Sequence, residues 1–127
     1  MKIGLIVVLF LALIGVAQAG SQCTVKTHDY CVHLDWQDGP YFGQYSSARV
    51  EFYDLENSLI TPREEVKIYP WMIMHGHAHG SRPVESAFIS EGILEVTKIF
   101  FMQGMQGTWQ LKLDIGSETY ILYSIDV

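Results

Sequence analysis

The feature that most constrains this chain is the alternation in Trp109-Gln110-Leu111-Lys112-Leu113-Asp114-Ile115, where every odd position is apolar and every even one polar. In a strand successive side chains leave on opposite faces, so this run buries one face and wets the other. The same period recurs in Ala48-Arg49-Val50-Glu51-Phe52, where Ala48, Val50 and Phe52 share a face, and in Cys31–Trp36 and Val66–Met72. After the first nineteen residues no long segment repeats at 3.6, which argues against helices. Further strands are expected over 83–89, 93–102 and 120–125, with the 93–102 and 109–115 segments joined as a hairpin. Pro70 cannot donate to a ladder, so the end of the 66–72 strand is expected at a sheet edge or a bulge. About seven short strands spaced by turn signals predict an all-β, immunoglobulin-like two-sheet sandwich.

The first nineteen residues have a different character. Lys2 precedes an apolar run from Ile3 to Val16, and Ala17-Gln18-Ala19 presents small residues around a cleavage position. This is the pattern of an export signal, and the run of about fourteen residues is short for a membrane span of about twenty. The expected organisation is a signal peptide at 1–19 and a single domain at 20–127, exported to the periplasm or the cell exterior without a membrane anchor. Export also bears on Cys23 and Cys31, which are expected to form one disulfide, ahead of serving as free metal-binding thiols.

The full chain has 14 acidic and 8 basic residues, a net charge of −6, and loss of Lys2 with the leader moves this to −7. Such a charge disfavours nucleic acid and anionic membrane surfaces as partners. No phosphate-binding glycine loop, nucleophile elbow or Cys-x-x-Cys pair occurs. Glu64 and Glu65 are adjacent on a strand and face opposite ways, so they do not form a catalytic dyad. A non-enzymatic protein is expected.

The chemistry concentrates in Met72-Ile73-Met74-His75-Gly76-His77-Ala78-His79-Gly80. His75, His77 and His79 at alternate positions project to one side of an extended backbone and can converge on a cation, while Gly76 and Ala78 leave room to bend. Imidazole suits copper, zinc and nickel, and thioether sulfur selects Cu(I). The expected metal is therefore copper, Cu(I) ahead of Cu(II), with zinc as a further candidate. Met74 is a candidate ligand, and Met72, which continues the face of Val66 and Ile68, fits a ligand or a core residue equally. Met105, between Gly104 and Gly107, is a large apolar side chain at a tip with no core to join. If the strands at 64–72, 83–89 and 93–102 run up, down and up, Met102 and Met105 come to the same end as the histidines. His28 and His33 are isolated and are left out of the site.

From about Ser47 to Ile115 the chain resembles the YtkA-like and FixH-like group of small exported or membrane-tethered β-sandwich domains. The resemblance rests on Ala48–Phe52, on Met72-Ile73-Met74-His75-Gly76-His77, on Phe100-Phe101-Met102, and on Gly107-Thr108-Trp109-Gln110-Leu111. It implies metal delivery or sequestration, with Met72, Met74, His75, His77 and Met102 as ligands and a copper-accepting exported or membrane protein as partner. The chain departs from the pattern at Pro70-Trp71, in its third histidine His79, and in lacking an anchor after the leader. The alternative expectation is a non-catalytic immunoglobulin-like interaction or structural module that holds no metal.

Overall fold

The computed structural model describes residues 23–127, and the leader with its expected cleavage position lies outside them. Nine strands form among the described residues and no helix does: β1 (Val25–Lys26), β2 (Cys31–Asp38), β3 (Tyr45–Tyr53), β4 (Val66–Met74), β5 (His77–Gly80), β6 (Glu85–Ser90), β7 (Ile93–Phe100), β8 (Thr108–Ile115) and β9 (Glu118–Asp126). They make two antiparallel sheets, ordered β1-β2-β3-β7-β6 and β5-β4-β8-β9. With β2, β3, β7 and β6 as strands A, B, E and D, and β5, β4, β8 and β9 as C′, C, F and G, this is the immunoglobulin-like sandwich.

The alternating runs form the facing layers. Ala48, Val50 and Phe52 of β3 and Trp109, Leu111 and Leu113 of β8 are all fully buried, and Val32, Val96, Ile99, Phe101, Ile68 and Met72 complete the core between them. A bulge in β7 sets the last part of this packing. Thr97 and Lys98 together oppose Ser47, since Val96 pairs with Ala48 and Ile99 with Ser46. Lys98 takes a left-handed φ of 59° there, an unusual conformation for a residue with a Cβ. The extra residue flips the face, so that Ile99 and Phe101 point inward as Leu94 and Val96 do.

The pairing overturns one expectation and refines two others. The 93–102 and 109–115 segments do not form a hairpin: β7 lies between β3 and β6, whereas β8 lies between β4 and β9. The connection 101–107 is an arch that crosses from one sheet to the other, because the apolar faces of β7 and β8 oppose each other across the core. The histidine stretch is not a plain loop, since β5 folds back on β4 around a two-residue turn at His75-Gly76. The strand count is nine because β1 and β5 are additional short strands.

Pro70 is buried and pairs with Leu111 without a register shift, so no bulge forms there. Pairing between β4 and β5 ends at Trp71↔Gly80. Positions 70, 72 and 74 direct their backbone groups to the β5 side, so the missing N–H of Pro70 faces the part of that edge which β5 does not cover. Cys23 and Cys31 form the expected disulfide, with a Cα–Cα distance of 5.3 Å, tying the chain just before β1 to the start of β2.

Candidate metal site at one end of the sandwich

The register of the β4–β5 hairpin pairs Met72 with His79 and Met74 with His77. Cross-strand partners share a face, so all four side chains lie on the core-facing side of their sheet. At the free end of the hairpin that face is no longer covered: Met72 is fully buried, Met74 and His79 are half-buried, and His77 is exposed. The imidazoles of His77 and His79 stack with centroids 6.0 Å apart and planes 22° from parallel. His79 also packs edge-on against Trp109, centroids 6.2 Å apart. His75 sits exposed in the turn, so its backbone does not continue the strand alternation.

One hydrogen bond orients the ring of His79. Its Nδ1 lies 2.7 Å from the carbonyl oxygen of Gly80, which can only accept, so Nδ1 carries the proton. With Nδ1 engaged by the backbone, Nε2 is the ring nitrogen left to act as a ligand. A ring held through one nitrogen to a backbone carbonyl, with the other nitrogen available, is the arrangement that orients metal-ligating histidines.

The arch reaches the same end. β8 begins at Thr108, whose partner is Ile73 near the end of β4, so residues 101–107 enter the second sheet beside the hairpin. The 85–90 segment is one strand antiparallel to β7, as the up-down-up argument requires. Gly107 makes the close approach possible, because at φ 149° a Cβ there would come within 2.9 Å of Met72 Cε and would collide with the Ile73 carbonyl. Gly107 also exchanges two backbone hydrogen bonds with Val127, at 2.9 and 3.2 Å. Met102 and Met105, carried by the arch, are half-buried against the core together with Met74. Ser81 donates to the Phe100 carbonyl at 2.6 Å, linking the exit of β5 to the end of β7.

An aromatic cluster supports this end. Phe101 has Trp109 at 5.5 Å, Phe42 at 5.7 Å, Tyr123 at 6.1 Å and Trp36 at 6.2 Å between ring centroids. Burial pushes the pKa of Tyr123 up, so this wall remains uncharged. Among the described residues no group of three or more His, Cys, Asp or Glu gathers as an ion site. The donors on the core-facing side of the hairpin are thus the two stacked imidazoles and the Met74 thioether, with those of Met102 and Met105 on the arch, while the Asp126 carboxylate at this end accepts from Thr108 at 2.6 Å. Two contributors went unread in the sequence, the Trp109 wall and the Gly80 carbonyl. The alternation of β8 placed Trp109 inside, but only the β4–β8 register sets it beside the histidines.

His28 lies 3.1 Å from Asp29, and its side chain is 97% accessible. Among the described residues no helix is long and apolar enough to cross a membrane. No family model, curated protein or solved structure matches the chain.

Proposed function

We propose that this chain is an exported, non-catalytic copper-binding protein that takes up Cu(I) as cargo at the hairpin end of the sandwich and passes it to a partner. His77, His79 and Met74 are the ligands on the hairpin, and Met102 or Met105 completes the set from the arch. Met72 is assigned to the core. The observation that carries the reading is the β4–β5 register, which puts two imidazoles and a half-buried thioether on one uncovered face. A mixed nitrogen and thioether set favours Cu(I) over harder ions. The resemblance to the YtkA-like and FixH-like domains points the same way. The Cys23–Cys31 disulfide supports an oxidising compartment, as expected of an exported chain.

The test is copper titration of the purified protein under reducing, anaerobic conditions, beside a His77→Ala/His79→Ala variant. The expected result is near one Cu(I) per chain, lost in the variant while its circular dichroism is unchanged. Binding no tighter than that of an unrelated protein with a few surface histidines overturns the reading.

A further inference from the structure

The free edge of β5 differs from the other sheet edges. Among the described residues β1 carries Lys26, β6 carries Glu85, and β9 carries Glu118 and Asp126, charges of the kind that keep edges from pairing. Between His77 and Gly80 there is no such charge; the strand is His77-Ala78-His79-Gly80, preceded by Gly76. Its backbone is also oriented for pairing. The pair that closes a two-residue turn, Met74↔His77, is hydrogen-bonded, and alternation makes Ile73↔Ala78 a pair that is not. The Ile73 carbonyl accordingly faces the Gly107 side of β4. Ala78 therefore turns both its N–H and its C=O to the open edge.

Two copies of this edge running antiparallel about Ala78 would exchange both of those hydrogen bonds. His77 of each copy then stands opposite His79 of the other, in the closer, non-bonded pairs with Cα atoms about 4.5 Å apart. Positions 77 and 79 share a face, so four imidazoles gather into one square. A single chain supplies only two imidazoles, and no carboxylate or third histidine joins them. That suffices for Cu(I) with thioethers, but Cu(II) favours four nitrogen or oxygen donors in a tetragonal plane.

Resting on the copper reading above, we infer that Cu(II) joins two copies of this chain edge to edge through β5, His77 and His79 of each copy supplying its four ligands, whereas Cu(I) is held by one chain. The pairing contributes few backbone bonds, since β5 is four residues long and the Gly80 carbonyl already accepts from His79. The dimer is therefore metal-dependent, and the metal-free protein is monomeric with respect to this edge.

The experiment is sedimentation velocity of the purified protein alone, with Cu(I) under reductant, and with Cu(II), read together with the electron paramagnetic resonance spectrum of the Cu(II) sample. The expected result is a monomer with about one Cu(I) per chain, and a mass doubled at about half an equivalent of Cu(II) per chain with a four-nitrogen spectrum. Two variants address the edge while leaving the imidazoles in place. Ala78→Pro removes the outward N–H at a position where an edge strand tolerates proline. Ala78→Lys sets two like charges opposite each other without touching the β4–β5 bonds. Both are expected to keep Cu(I) binding and to lose the Cu(II) dimer. Cu(II) bound at one per chain with monomer mass overturns this inference and leaves the Cu(I) site standing. A Cu(II) dimer that survives Ala78→Lys also overturns it, since the contact then lies elsewhere. Failure to bind either ion overturns the copper reading and this inference together.

Discussion

Met72 and Met74 are two residues apart on one strand face, yet the structure gives them different work, and leucine and alanine separate the two. Met72 is fully buried, is the register partner of both Trp109 and His79, and closes on Gly107. Burying such a side chain is worth about 1.5–3 kcal/mol, and truncation to alanine adds the cavity left behind, for a total of about 2–5 kcal/mol. A central value of about 3.5 kcal/mol, set against an unfolding entropy of about 2.1 cal/mol/K per residue over about 105 residues, lowers Tm by about 15 °C. Met72→Leu conserves volume and is expected to cost less than about 1.5 kcal/mol. It should leave Cu(I) affinity within about twofold, since it removes no ligand on this reading. Met74→Leu is expected to do the reverse. Its side chain is half-buried at the rim, so stability should change by less than about 1 kcal/mol, while loss of one thioether weakens Cu(I) at least about tenfold, or about 1.4 kcal/mol. The assays are urea denaturation of the metal-free proteins and competition for Cu(I) with a chromophoric chelator. Loss of Cu(I) binding in Met72→Leu would refute the assignment of Met72 to the core. Unchanged Cu(I) affinity in Met74→Leu would refute its role as a ligand.

The remaining predictions concern the frame. Replacing both Cys23 and Cys31 by alanine opens a loop spanning eight positions, which in the chain-entropy model costs about 2.5 kcal/mol, or about 10 °C in Tm. Urea melts with and without reductant check this: reductant should destabilise the parent by a similar amount and leave the variant unmoved. At the opposite limit of pH, the Tyr53 hydroxyl bonds Glu51 at 2.5 Å, and that bond, with burial and the carboxylate charge, raises its pKa from 10.0 to about 12. A group raised in the folded state contributes stability that is whole below pH 10 and is lost as pH rises through about 12. Glu51→Gln is expected to bring the phenol back toward its ordinary range in a spectrophotometric titration and to flatten the alkaline fall. A Tyr53 that still ionises near 12 in the variant removes Glu51 as the cause.

How much could be read in advance follows from which forces are local. Face alternation is a property of consecutive residues, so β3 and β8 announced both their strand character and their inward sides. The cysteine pair was equally direct. Pairing partners are not local, and the 93–102 and 109–115 runs look the same whether a hairpin or an arch joins them. The bulge at Thr97 and Lys98 was hidden because it serves contacts distant in sequence, turning Ile99 into the core and Phe101 against the rings of Trp36, Phe42 and Trp109. β5 escaped notice for the opposite reason. His77-Ala78-His79-Gly80 has no branched or apolar pattern of its own, and it is a strand because β4 offers it a partner across a tight turn. The same turn takes His75 out of the alternation that suggested three convergent imidazoles.

The arch also sets the order in which this end of the molecule can come together. The hairpin joins Met74 to His77 across two residues, and such local elements form in about 1–10 μs. Met102 and Met105 reach that end only when β7 has found β3 and β8 has found β4, partners such as Glu51↔Ile93 and Val66↔Ile115 that lie more than forty positions apart. Sandwiches dominated by such distant pairings fold in about milliseconds to seconds. A chain delivered unfolded across a membrane would therefore present its imidazoles well before its arch thioethers, and the nitrogen donors would meet an ion while the sandwich was still closing.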